Sequence, residues 1–311
     1  MNNILNFVRK TIKYGITIPA SNLLMTYGYR WLSEETMRKI GNYRTGKIQR
    51  HLAPIIEMLL PGLPSNRKGT RPVAPYIWVC WLQGEENMPD IARLCLKSIR
   101  RNACGKKVVV ITADNYSNYA NIEPHIVKAY EAGKLKPAHF ADIIRMNVLA
   151  QNGGLWLDAT MYVAKPIDDV IFNYPFYSIK TPETGAFVSH CRWAVFCLGS
   201  WKGNVILLTV SKAFAEYISH TTTFVDYFMF DQFIDILYQK DKATREYIDS
   251  IPMNNEHTHS LNIANRFDEK DWQGLLADTY LFKLSWRGQN MDELRADKGN
   301  FYNFLKSEVE R

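Results

Sequence analysis

The 311-residue sequence predicts an α/β fold, a mostly parallel, Rossmann-like sheet flanked by helices, behind a basic helical N-terminal region. Three observations predict it. Strand-like and helix-like segments alternate between residues 76 and 163. One strand segment, Val108-Val109-Val110-Ile111, is a continuous β-branched run, as in strands buried on both faces. Three strand segments end on polar residues, and the carboxyl ends of a parallel sheet are where such folds bind ligands.

Residues 1–60 read as helices over about 3–14, 19–31, 33–41 and 44–59. Ser33 stands where an N-cap belongs, with Glu34 and Glu35 in the first turn. The turn-rich run 61–69 marks a boundary. It divides a region 1–70 from a larger region 71–311. In the second region, strands are expected at 76–81, 107–112 and 155–158, with helices at 89–101, 122–132 and 138–151. Beyond Ile167 the pattern predicts strands near 170–180 and 185–198, helices near 203–218 and 224–239, and a late strand from Tyr280 running into a loop at Trp286.

The segment 136–163 is the densest in chemistry. Phe140, Ile144 and Val148 form one apolar stripe, and Asn152-Gly153-Gly154 stops the helix. Leu155-Trp156-Leu157 then delivers Asp158 to a strand tip. Asp142 and Arg145, three apart, share a helix face. A simple structural pair between them is as well supported by spacing as a polar site at the sheet edge.

Asp142-x-x-Arg145 followed by Gly153-Gly154-Leu155-Trp156-Leu157-Asp158-Ala159-Thr160 resembles the sugar-transferase segment D-x-x-R…GG-x3-D-x-D. That segment belongs to glycosyltransferase family 32, the bacterial capsular polysaccharide synthesis proteins and the large clostridial glucosylating toxins. The resemblance implies a GT-A fold and a nucleotide-sugar donor. It assigns Asp142, Arg145 and Asp158 to the donor sugar, with Gly154, Ala159 and Thr160 around them. It sets Trp78, Trp81 and Gln83 beside the nucleotide, and Lys283, Ser285 and Trp286 in a loop closing over the diphosphate. For the diphosphate three arrangements stay open: a divalent cation, Mn2+ or Mg2+, held directly by Asp158, the same ion helped by a distant carboxylate, or neutralisation by Lys and Arg. Thr160 stands where the second Asp is usual and is a poorer ligand for a hard cation, which leaves metal dependence open.

The activity implied by the resemblance is that of a retaining hexosyltransferase of capsule or surface-polysaccharide synthesis. It would use a nucleotide diphosphate sugar, UDP-sugar favoured, and a lipid-linked or polysaccharide acceptor. The alternative is a catalytically inactive membrane-docking scaffold of the same descent, with Thr160 marking lost catalysis.

Composition bears on partners and place. Residues 1–50 hold nine Lys/Arg against two acids, which accounts for the whole net charge of +7; the remainder is balanced. A neutral body argues against nucleic acid, and the basic segment favours an anionic membrane surface met through residues 1–60. No apolar run is long enough to span a bilayer. Five cysteines without a C-x-x-C pair read as reduced core thiols. The expected location is the cytoplasm, peripheral on the inner face of the plasma membrane. His257 and His259 make a weak metal pair, and Asp226, Tyr227 and Asp231 are candidates for an acceptor-facing helix.

Overall fold

The computed structural model describes residues 2–185, 187–285 and 287–311. Helices α1 (Asn2–Tyr14), α2 (Thr17–Tyr27) and α3 (Glu34–Leu59) come first. α3 is one helix where the sequence suggested two. Ser33 caps it by accepting the Thr36 amide at 3.3 Å. Ile48, Leu52 and Ile56 form a fully buried stripe along it, and α3 packs on α7 (Val205–His220) and α8 (Met229–Lys240). That packing outweighs the low helix propensity of Gly41 and Gly46.

The alternating region follows as β1 (Ile77–Cys80), α4 (Asp90–Arg101), β2 (Val108–Ile111), α5 (Pro124–Glu131), α6 (Pro137–Asn152), β3 (Gly154–Leu157) and β4 (Met161–Val163). β5 (Phe176–Ser178) and β6 (Cys197–Ser200) precede α7 and α8. The chain then runs through α9 (Lys242–Asp249), α10 (Glu269–Leu276), β7 (Leu281–Lys283), α11 (Met291–Ala296) and α12 (Phe301–Glu310).

The main sheet has the order β2-β1-β3-β6-β5. β1 is parallel to β2 and β3, while β6 is antiparallel to both β3 and β5. Four of the five strands therefore run one way, and β6 alone is reversed. This is the α/β class with a mostly parallel, helix-flanked sheet that the sequence predicts. A second, two-stranded sheet pairs β4 with β7 and sets Met161 opposite Lys283.

The expected strand at 185–198 is shorter than predicted and displaced. Only its end is extended, as β6, because His190 and Cys191 adopt left-handed φ values of 48° and 58° that interrupt any ladder. Residues 169–173 likewise form a 3-10 turn before β5.

Gly154 opens β3 at φ 104°, and a Cβ there would stand 2.5 Å from the Tyr76 carbonyl oxygen. Its neighbour Gly153 ends α6 at φ 70°. The glycine pair is thus the hinge by which α6 turns directly into β3. Phe140, Ile144 and Val148 lie fully buried on α6, as their spacing predicts. The same apolar cluster takes in Ile18, Ile48, Leu52 and Ile56 of the N-terminal helices.

Candidate functional site

β1, β2 and β3 are parallel, so their carboxyl ends share one edge of the sheet. Asp158 follows β3 at that edge, its amide donating to the Phe196 carbonyl at 2.9 Å. α6 leads directly into β3 and brings Arg145 within reach. Arg145 Nη2 donates to Asp158 Oδ1 at 3.0 Å, and Nη1 lies 3.1 Å from Asp142 Oδ1. The guanidinium also lies 5.0 Å from the Trp156 ring centroid and 5.7 Å from that of Phe230. Arg145 is only 6% exposed, and the two carboxylates and two aromatic faces make that burial tolerable.

Asp158 is the hub. Its Oδ1 also accepts from Trp156 Nε1 at 3.0 Å, and its Oδ2 accepts from Lys283 Nζ at 2.7 Å. Lys283 arrives from β7, and the Leu284 amide donates to the Thr160 carbonyl at 2.9 Å, fastening the two segments together.

Electrostatics separates the carboxyls. Burial works to raise Asp158, but Lys283, Arg145 and the hydrogen bonds it accepts outweigh it and hold it well below the usual carboxylate range. Burial pushes Asp142 up to about 6, against the opposing pull of Arg145. A third carboxyl, Asp231, begins α8; burial pushes it up to about 7, opposed by the Trp193 indole, which donates to it at 2.9 Å. It feels the charges of both Asp142 and Arg145. Three carboxyls around one guanidinium therefore span very different proton affinities, as polar sites that carry chemistry commonly do.

The structure brings Asp142, Arg145, Asp158 and Lys283 together, with Thr160 beside them. Trp78 is placed otherwise. It is fully buried, and its indole donates to the Gly153 carbonyl at 2.8 Å, so it packs the sheet and has no face for a ligand. Gly154 sits at the opposite end of β3 from Asp158, where its role is the close approach to Tyr76. Trp81 follows β1, half-buried, and its indole N–H is buried without a hydrogen-bond partner among the described residues. Gln83 is exposed beyond it, and Ala159 is buried. Ser285 is exposed and donates to the Arg287 carbonyl at 3.4 Å. Trp286 lies outside the described residues.

Asp114 and Asn115 form a turn: Asn115 accepts the Thr112 amide at 2.8 Å and donates to the Val110 carbonyl at 2.9 Å. Asp226 is structural, tying Arg44 of α3 to Gln232 of α8. Of the two acidic positions near the start of α8, only Asp231 reaches the site. Spacing could not tell them apart, since the choice depends on how α8 packs.

This donor set does not suit a divalent cation. Both Asp158 oxygens already accept from cationic or indole donors, and position 160 offers only a hydroxyl. Among the described residues no group of three or more His, Cys, Asp or Glu is arranged to hold an ion. His257 instead pairs with Asp278, and the His259 ring meets Phe196 edge-on. A cavity of about 780 Å3 lies elsewhere, lined by Arg71, Tyr76, Lys106 and Asp169 among others, and shares no residue with the Asp158 cluster.

The sequence model of a family described as capsular polysaccharide synthesis protein matches residues 30–305. A solved structure titled "PaToxG Glycosyltransferase" is similar at 13% identity, over 86% of this chain and 98% of that one, with a TM-score of 0.39. A likeness that low carries no functional argument. No curated protein matches the chain.

Proposed function

We propose a glycosyltransferase, from the premise that the chain belongs to the capsular polysaccharide synthesis protein family. The reaction is transfer of a hexose from a nucleotide diphosphate sugar, UDP-sugar favoured, to a hydroxyl of a lipid-linked or polysaccharide acceptor. The observation that carries it is Arg145, buried at a parallel strand tip and joined to both Asp142 and Asp158. Carboxylates and a guanidinium fixed in that way suit the vicinal hydroxyls of a pyranose.

The work of these residues is positioning and charge placement. Asp142, Arg145 and Asp158 hold the sugar, with Thr160 at the rim. The bond between the anomeric carbon and the diphosphate oxygen breaks. The acceptor oxygen bonds to that carbon on the same face, giving retention, and the acceptor's proton passes to the departing diphosphate. Asp231, on α8 and within the electrostatic reach of Asp142 and Arg145, suits the acceptor side.

Thermal-shift measurement against UDP-, GDP- and CMP-sugars, with and without Mn2+, tests the reading. The cognate donor should stabilise the wild type by mass action. Asp158→Ala and Arg145→Ala should each erase the shift. Donor binding without any donor hydrolysis would favour the inactive scaffold instead.

Place of action belongs to the same reading. α1 turns Tyr14 and Lys10 inward, the first sharing a hydroxyl hydrogen bond of 2.6 Å with Tyr217 and the second donating to the Val225 carbonyl at 3.3 Å. Its outer face presents Leu5, Val8 and Ile12, the last 81% exposed, beside Arg9 and Lys13. Ile16, Leu23, Leu24, Tyr27 and Trp31, further along the same N-terminal segment, are exposed as well. An apolar face edged by cations suits an in-plane dock on the anionic cytoplasmic leaflet. Among the described residues no helix is long and apolar enough to cross a membrane.

A further inference from the structure

We propose that the Lys283 ammonium is the resident cation of this site and that the donor diphosphate is held without a divalent metal. The inference rests on the glycosyltransferase reading and adds the chemistry that meets the diphosphate.

The backbone fixes this lysine. β7 pairs with β4 so that Lys283 lies opposite Met161, and the Lys283 amide donates to the Thr258 carbonyl at 2.8 Å. With Leu284 bonded to Thr160, the side chain projects toward the Asp158-Ala159-Thr160 tip. Its Nζ stands 2.7 Å from Asp158 Oδ2 and 5.2 Å from the Phe196 ring centroid, and the side chain is 22% exposed.

A hard divalent ion would bind Asp158 at roughly 2.0–2.6 Å. The space around Oδ2 at that range abuts the ammonium. Oδ1 is closed by Arg145 and Trp156. An ion entering here would displace the lysine from its carboxylate and then sit beside it as a like charge, with Thr160 giving no compensating carboxylate. The lysine itself carries the charge the reaction needs. One of its N–H bonds goes to Asp158, which leaves two for phosphate oxygens, and a compact ammonium serves phosphate as a point charge. Negative charge gathers on the diphosphate as its bond to the sugar breaks, and a cation already in place there favours the departure.

The test uses the full chain with uridine diphosphate and guanosine diphosphate as probes, alongside the nucleosides. In EDTA, one diphosphate should stabilise the wild type and Lys283→Arg. Lys283→Met should bind it at least tenfold more weakly while binding the nucleoside as the wild type does. Manganese added to the wild type and followed by electron paramagnetic resonance should show no tight site. The inference is overturned if EDTA removes the wild-type shift and Mn2+ restores it. It is equally overturned if Lys283→Met binds diphosphate unchanged, or if manganese binds tightly and Asp158→Asn abolishes that. Should no nucleotide or nucleotide sugar bind the wild type with or without Mn2+, the glycosyltransferase reading falls as well.

Discussion

Arg145 is the residue on which the site's geometry turns. Its removal leaves Asp142 and Asp158 without their shared cation. Arg145→Met should therefore lower unfolding free energy by about 3–5 kcal/mol, the usual cost of breaking a buried ion pair from one side. Urea denaturation checks this. Asp231 offers a second measurement. Its carboxyl is pushed up to about 7 in the folded protein and is near 3.9 in an unfolded chain. Between those values the unfolded chain holds fewer protons, so stability falls as pH rises from about 4 to about 7. Asp142 adds to the same slope. Asp158 acts with the opposite sign, since its depressed carboxyl contributes stability that is lost only as pH falls into the acid range. The Asp231→Asn variant should gain stability relative to the wild type through the window from about pH 4 to 7 and stay level with that gain above it. A flat difference across that window would show that burial does not hold the Asp231 carboxyl protonated.

Among the elements, those with local periodicity were legible before the fold. The Phe140-Ile144-Val148 stripe of α6 and the Gly153-Gly154 break name their own structure. The β-branched run of β2 names a strand but not its place, since β2 lies at the sheet edge with Val108 and Val110 half-buried instead of being covered on both faces. Gly154→Ala should fail to fold to a soluble product in expression trials, because its Cβ would meet backbone at 2.5 Å. Other elements depend on distant partners. α3 is continuous because α7 and α8 line its buried stripe, so Leu52→Ala should cost about 2–5 kcal/mol by thermal or urea unfolding. The β4–β7 pair joins segments some 120 residues apart in sequence, which no local pattern reveals. Lys283 could be singled out from the chain, but not its contact with Asp158. Trp78 was misleading for a related reason. A strand buried on both faces gives alternation no side to choose, and only the packed sheet shows that its indole is spent on Gly153.

On the scale of the whole molecule, charge and exposed apolar surface coincide on α1 while the site lies at the sheet edge. Vesicle co-sedimentation with phosphatidylserine-containing and neutral liposomes examines the dock. Neutralising Arg9 or Lys13 should weaken binding to anionic vesicles about fivefold each, following roughly 1 kcal/mol per basic residue. Ile12→Glu should weaken binding to either kind of vesicle and leave donor-induced thermal shifts intact. Equal binding by all variants would remove the membrane from the account. The reversed direction of β6 has its own consequence. Because it runs against its neighbours, the stretch entering it comes from the same side as the Asp158 tip, and Trp193 and Phe196 of that stretch touch Asp231, Asp158 and Lys283. The rim beside Asp158 is thus a loop rather than a ladder, fastened by the side chains of Trp193 and Arg192 to α8 instead of by strand pairing.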